Sequence, residues 1–252
     1  MHISRAIDKI LERRVLNNSN SVVTVSKSIK EKLYRNSDQN NIKVLYNGYD
    51  AFDFEKKSGQ ECSNSFKISY VGNLKSNQNI PALWNVFSEF ISAGHTINLN
   101  FVGNVHPGVI SALKDNDIYE ITHFTGYVSH EDAIREMQNS SVLLYIIPQA
   151  PDNAGILTGK LFEYLAAKRP FFAIGPPEGD AADILKELKM GPMIDYSDKP
   201  AMEVRLRHLF SLWSRQKIHS EIPSENGIKK FERKYQTGKL AKQLRKLTHA
   251  TN

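Results

Sequence analysis

Short apolar runs, most of them closing on glycine, alternate along the middle of the chain with longer stretches whose apolar positions recur at helical spacing. FKISYVGN (66–73), INLNFVGN (97–104), ITHFTGYV (121–128), VLLYIIP (142–148) and FFAIG (171–175) predict strands, and MIDYS (193–197) adds a sixth. VLLYIIP is continuously apolar, as a strand covered on both faces is. Between the strands, 79–93 predicts a helix with Leu83, Val86, Phe87 and Phe90 on one stripe. VISALKDN, after Pro107 and Gly108, predicts another. Ser129 reads as the N-cap of HEDAIREMQN, with Asp132 at the capping-box position. Further helices are predicted from about Thr158 and over 180–189. This alternation predicts an α/β fold, an open parallel sheet of about six strands with helices on both faces. Such sheets take ligands at the carboxyl ends of their strands. Gly72, Gly103, Gly126 and Gly175 fall at those ends. Glycine there permits close approach to a ligand and equally permits a tight turn.

The two ends of the chain depart from this rhythm. Residues 1–35 predict helix, the strand SVVTVS and the helix SIKEKLYR, and IKVLYNGYD (42–50) predicts a strand and turn. GQECSNS (59–65) reads as a polar linker, and 226–248 as one long terminal helix. This divides the 252 residues into an N-terminal remnant (1–50), a ligand-binding domain (51–225) and a basic C-terminal helix (226–252).

Composition changes little: 40% apolar and 24% charged residues describe an ordinary globular chain. No apolar stretch is long enough for a membrane span or a signal peptide. The single cysteine, Cys62, excludes an internal disulfide and suits a reducing cytoplasm. Charge changes more. The net +6 favours an anionic partner, and much of it lies in KKFERKYQTGKLAKQLRK (229–246). That strip reads as a solvated helix face, or as a contact with anionic lipid at the inner membrane surface. Nucleic acid is not expected, because no aromatic-basic stacking platform accompanies the charge.

The candidate chemistry sits in GILTGKLFEYLAAKRPFFAIG (155–175). A helix N-terminus presents unpaired amides and a partial positive charge, and phosphates bind there. Gly155, Ile156, Leu157 and Thr158 would present those amides, and Lys160 in the first turn adds a cation. A cation is otherwise disfavoured at that end of a helix. Glu163 shares its face and can accept hydrogen bonds from ribose hydroxyls. The competing reading is a plain Lys160–Glu163 surface pair. Gly-x-Ser-x-Gly, Walker and His-Glu-x-x-His motifs are absent, and no metal site is expected. His123 and His130 read as packing or surface residues. The polar run PDNAG (151–155) suits a loop that reaches a ligand.

VVTVSKSIKEKLYR followed by KVLYNGYD resembles the domain junction of family 4-like glycosyltransferases of GT-B fold. YVGNL, FVGN, HFTGYVSHEDAIREM and GKLFEYLAAKRPFFAIG resemble, in order, strands and loops of that family's second, Rossmann-like domain. The resemblance implies a nucleoside-diphosphate-sugar donor, UDP- or GDP-linked, and no cofactor. It also implies transfer to an acceptor hydroxyl with retention at the anomeric carbon and no obligatory metal. It makes Glu163 the ribose-binding second Glu of an E-x7-E pattern and gives Lys160 the leaving diphosphate. Gly72, Asn73 and Lys75 would line the phosphates, Gly126, Tyr127 and Val128 the base, and Gly155, Ile156, Leu157, Thr158 and Leu161 the donor sugar. Three positions depart from the family: the first Glu is Gly155, the Arg after the first-strand Gly is Asn73, and a following Lys is Gln78. Lys160 and Lys75 would have to stand in for the missing cations. The acceptor domain of the full architecture would precede residue 1, so it or an equivalent is an expected partner. Two alternatives stand beside this reading: a nucleotide-sugar 2-epimerase of the same fold, and a non-catalytic Rossmann-like domain that binds a protein.

Overall fold

A computed structural model describes residues 2–38, 41–55 and 65–249. Cys62 and most of the linker read over 59–65 lie outside the described residues. The chain opens with helix α1 (His2–Asn17), strand β1 (Val22–Thr24), helix α2 (Lys27–Arg35) and strand β2 (Ile42–Val44). The predicted alternation follows: β3 (Lys67–Val71), α3 (Pro81–Ser92), β4 (Asn98–Val102), α4 (Pro107–Asp115), β5 (Thr122–Gly126) and α5 (His130–Gln138). Then come β6 (Val142–Ile146), α6 (Gly159–Ala166), β7 (Phe171–Ile174), α7 (Asp180–Glu187), β8 (Met193–Ile194) and α8 (Lys199–Ser214). Helices α9 (Glu225–Lys229) and α10 (Arg233–His249) close the chain.

Strands β3 to β8 form one parallel sheet in the order β5-β4-β3-β6-β7-β8. Strand β3 is the first laid down and lies inside, with β4 on one side and β6 on the other. The chain therefore reverses its direction of travel across the sheet between β3 and β6. At such a switch point the adjoining loops leave to opposite faces and open a crevice. Strand β6 is buried along its whole length, as its unbroken apolar sequence predicts. Its Val142, Leu144 and Ile146 join the core under α3, α4 and α8, with Trp84, Phe87 and Leu206. Leu143, Tyr145 and Ile147 face the other way and pack with Leu161, Leu165 and Leu185 of α6 and α7.

One helical expectation is corrected, and one helix was not foreseen. The terminal helix read over 226–248 is two helices, broken before Arg233. Phe231 in the break is fully buried and packs 5.3 Å from Phe162 and 5.4 Å from Tyr46 between ring centroids. Burying so large a ring favours the break over a continuous, more exposed helix. Helix α8 has no counterpart in the sequence reading. Its apolar stripe is interrupted: Val204 is 70% exposed, while Arg205 faces inward beside Leu206 and Leu209.

The N-terminal segment is held by polar contacts and by the far end of the chain. Ser26 Oγ accepts the Ile29 amide at 3.2 Å and caps α2, and the buried Asp180 carboxylate accepts the Ser28 amide at 3.0 Å. Lys32 pairs with Asp152 at 3.2 Å. The Arg233 amide donates to Tyr49 O at 2.9 Å, Arg233 Nε to Gly48 O at 3.2 Å, and Gln243 hydrogen-bonds Ser21. Strands β1 and β2 pair only with each other, apart from the main sheet.

Candidate functional site

The carboxyl ends of β3, β4 and β5 meet in three glycines. The Gly72 amide donates to Val102 O at 2.7 Å, and the Gly103 amide to Gly126 O at 2.8 Å. All three have positive φ. A Cβ on Gly103 would lie 2.8 Å from Gly72 O, so glycine is required there for the strand ends to stack. Across the switch point stands α6. Its N-cap is Thr158, where the sequence placed the helix start.

Lys160 reaches from the first turn of α6 over the end of β3. Its Nζ lies 3.7 Å from the centroid of the Tyr70 ring and 2.9 Å from where a Cβ on Gly72 would sit. Lys160 is half-buried as a residue, with its ammonium end packed between ring and glycine. Burial pushes its pKa down to about 7, against the opposing charge of Glu163. Among the described residues the ammonium forms no hydrogen bond or ion pair, so Lys160 and Glu163 are not the surface pair that was the competing reading. A buried cation without a directly paired carboxylate is costly and is a candidate place for an anion.

The amides of Leu157, Gly159 and Lys160 have no protein acceptor among the described residues, while that of Thr158 faces the Tyr145 hydroxyl. The Ile156 amide is taken by Asn153 O at 3.0 Å, which removes it from the expected set. Glu163 is half-buried on the same face, and its carboxylate forms no hydrogen bond or ion pair among the described residues. Leu161 is fully buried in the core behind the loop, so its side chain is out of a ligand's reach. Tyr127 is 87% exposed at the end of β5, whereas Val128 leans on the core. Lys75 is exposed on the loop after β3.

The three departures acquire structural reasons. Gln78 is buried, donates from Nε2 to Ile146 O at 2.7 Å and accepts the Lys75 amide at 3.2 Å. It ties the β3 loop to β6 across the switch point. Asn73 Oδ1 accepts the Asn104 amide at 3.3 Å and links the loops after β3 and β4. Gly155 packs against α2: a Cβ there would lie 3.2 Å from Ser28 Cβ and 3.6 Å from Ser26 Oγ. The N-terminal segment thus occupies the space a glutamate at 155 would need. The nearby Asp180 carboxylate is engaged by the Ser28 amide.

Other features lie elsewhere. His106 Nδ1 accepts the Gly108 amide at 3.0 Å and caps α4, His123 is exposed, and His130 Nε2 lies 3.2 Å from Asp53. Among the described residues no three His, Cys, Asp or Glu side chains cluster as metal ligands, and no helix is long and apolar enough to cross a membrane. A cavity of about 1260 Å³ lined by residues such as Tyr49, Phe54, Arg169 and Tyr235 lies elsewhere and includes none of the expected site residues.

No protein-family model and no curated protein matches the chain. Solved structures do. A glycosyltransferase from Rickettsia africae superposes over 95% of this chain with a TM-score of 0.76 at 16% identity. Anabaena HepE, solved with UDP and glucose, covers 95% with a TM-score of 0.73 at 12% identity. Sucrose-phosphate synthase from Thermosynechococcus elongatus covers 96% with a TM-score of 0.71 at 15% identity. This is the fold of one half of a GT-B glycosyltransferase. The chain spans 66%, 67% and 62% of those three proteins, so about a third of each GT-B structure has no counterpart in it. The Rossmann-like GT-B half expected from the sequence is the fold observed.

Proposed function

We propose that the chain is the donor half of a glycosyltransferase. It binds a nucleoside-diphosphate sugar at the switch point, and the sugar passes to an acceptor hydroxyl held by a further domain, with retention and without an obligatory metal. The observation that carries this reading is the Lys160 ammonium, with no directly paired carboxylate among the described residues, beside the unpaired amides that open α6 and against Gly72. Catalysis at such a site is positioning plus stabilisation of the leaving diphosphate, whose charge would meet that cation and those amides. Glu163 would accept from ribose, and the exposed backbone around Tyr127 would meet the base. The fold shared with HepE, itself solved with UDP and glucose, supports the reading. The epimerase alternative needs a free carboxylate near Gly155, and Asp180 is occupied in capping α2. The basic face of α10 fits the expected contact with an anionic membrane surface.

The test is a thermal-shift titration with UDP, GDP, ADP and their sugars. A ligand at 100 times its Kd stabilises by about 2.7 kcal/mol, a readily measured shift. Stabilisation by one nucleotide supports the donor site, and none at millimolar concentration would sink it in favour of the protein-binding alternative. Glu163→Ala should weaken the binding nucleotide about tenfold or more, as loss of hydrogen bonds to a charged group does. The same change should leave the 2′,3′-dideoxy analogue almost unaffected; equal losses for both would remove Glu163 from the ribose.

Affinity should also depend on pH, with a definite sign. The free protein holds Lys160 at about 7, and a bound diphosphate raises that value. Binding is then strongest below pH 7 and weakens by up to about tenfold per unit above it, until the raised value of the complex is reached. Calorimetry from pH 6 to 8.5 with a nucleotide sugar, whose phosphates do not titrate there, reads this directly. A flat profile would place the diphosphate away from Lys160.

A further inference from the structure

We infer that Tyr70 is a positioning residue, whose ring holds the Lys160 ammonium in place where a carboxylate would ordinarily do so. The inference rests on the donor-site reading for what the ammonium then meets. The contact itself stands on geometry: Nζ is 3.7 Å from the ring centroid, well inside the roughly 6 Å range of a cation–π interaction.

The ring cannot drift. Tyr70 is fully buried in the core under α3. Its hydroxyl donates to Asn73 O at 3.1 Å and lies against the Gln78 amide group, which is itself fastened to β6 through Ile146 O. The groups facing Lys160 from each neighbouring element are then few. Glu163 on its own helix attracts it without a direct pair. The hydroxyls of Tyr164 and Tyr145 are committed, the first accepting the Val71 amide at 2.7 Å and the second 3.5 Å from Thr158 Oγ1. Gly72 contributes only backbone.

An aromatic anchor and a carboxylate anchor differ in what they leave behind. A carboxylate would neutralise the ammonium and repel an incoming diphosphate. A ring attracts the cation through its quadrupole yet carries no net charge, so the full positive charge remains for the ligand. Gly72 completes the arrangement, since any side chain there would strike Nζ.

The test compares two rings of nearly the same shape: Tyr70→Phe, and pentafluorophenylalanine incorporated at position 70, whose face no longer attracts a cation. Two quantities are read on each: the titration of Lys160 in the ligand-free protein, from its Cε chemical shift, and the affinity for the nucleotide sugar that binds wild type. Tyr70→Phe should keep both close to wild type. The fluorinated ring should lower the Lys160 titration midpoint and weaken the nucleotide about tenfold, in line with a desolvated cation–π contact. Identical midpoints for the two rings would overturn the contact. Affinity lost equally in both would assign the effect to the hydroxyl and overturn the role of the ring. A midpoint that falls only with the fluorinated ring, in a wild type that binds no nucleotide, would uphold the contact and overturn the donor-site reading alone.

Discussion

Lys160→Met is expected to weaken nucleotide-sugar binding by about thirty- to a hundredfold and, at the same time, to raise the melting temperature of the ligand-free protein. The first effect follows from losing a charge-assisted contact to the diphosphate, roughly 1.5–3 kcal/mol. The second follows from the cost of burying an ammonium that Glu163 offsets only in part. The Lys160 pKa falls from 10.5 to about 7, so above pH 7 the folded state holds fewer protons than the unfolded one. Stability contributed at this position therefore rises with pH between the two values, and the penalty is fully present below about pH 7. Methionine keeps most of the stem and carries no penalty. Melting curves at pH 6 and pH 9 check the sign: the advantage of the variant over wild type should be large at pH 6 and shrink at pH 9. A variant less stable than wild type at both would mean that the ammonium is compensated after all.

Arg205→Ala should destabilise the fold strongly, by about 3–5 kcal/mol, because it strips one partner from a buried ion pair. Arg205 donates to Phe171 O at 2.8 Å and to Met190 O at 3.0 Å, and lies 2.8 Å from Glu221, so β7, the turn after α7 and the segment following α8 all converge on it. Gly191 is fitted to it: at φ +88, a Cβ there would fall 2.5 Å from the guanidinium. Against a typical total of about 5–15 kcal/mol, the loss is a large fraction. At roughly 2–4 °C per kcal/mol for a chain of this size, it lowers the melting temperature by about ten degrees. Acid sensitivity changes as well. Burial alone would push the Glu221 carboxyl up, but Arg205 and then His208 outweigh it and hold it below the usual range. Stability from that carboxylate is present above its unfolded pKa and lost as pH falls through the depressed folded value. Without Arg205, the loss should begin at higher pH. Adding Glu221→Gln should recover part of the stability, and a double variant no better than the single would show that the orphaned carbonyls dominate.

The sheet was legible because each strand carries its own punctuation. Gly72, Gly103 and Gly126 close apolar runs, and those runs are β3, β4 and β5. Helix α8 was illegible because its inward face holds Arg205, whose partners are two carbonyls and the Glu221 carboxylate from other parts of the chain. The break before α10 was missed for a similar reason: Phe231 leaves the helical pattern for Phe162 and Tyr46, partners remote in sequence. At the site, Lys160 and the start of α6 could be read from local chemistry. Gln78 and Asn73 could be seen only as cations absent, and the hydrogen bonds they make across the strand ends needed three dimensions. The same holds for Tyr70, whose contact with Lys160 joins the first strand of the sheet to the helix after the fourth.

The bonds from Arg233 to Gly48 and Tyr49 carry a consequence for synthesis. These residues lie 185 positions apart for the Gly48 bond, and the later one follows the whole sheet in sequence. At about 5–20 residues per second, the ribosome reaches Arg233 roughly ten to forty seconds after Gly48. For that interval Tyr46 and Tyr49 wait without Phe231 and Arg233, while β3 to β8 emerge in order and can already form their sheet. The segment carrying Gly48 and Tyr49 is thus made before the sheet and gains these bonds only after it.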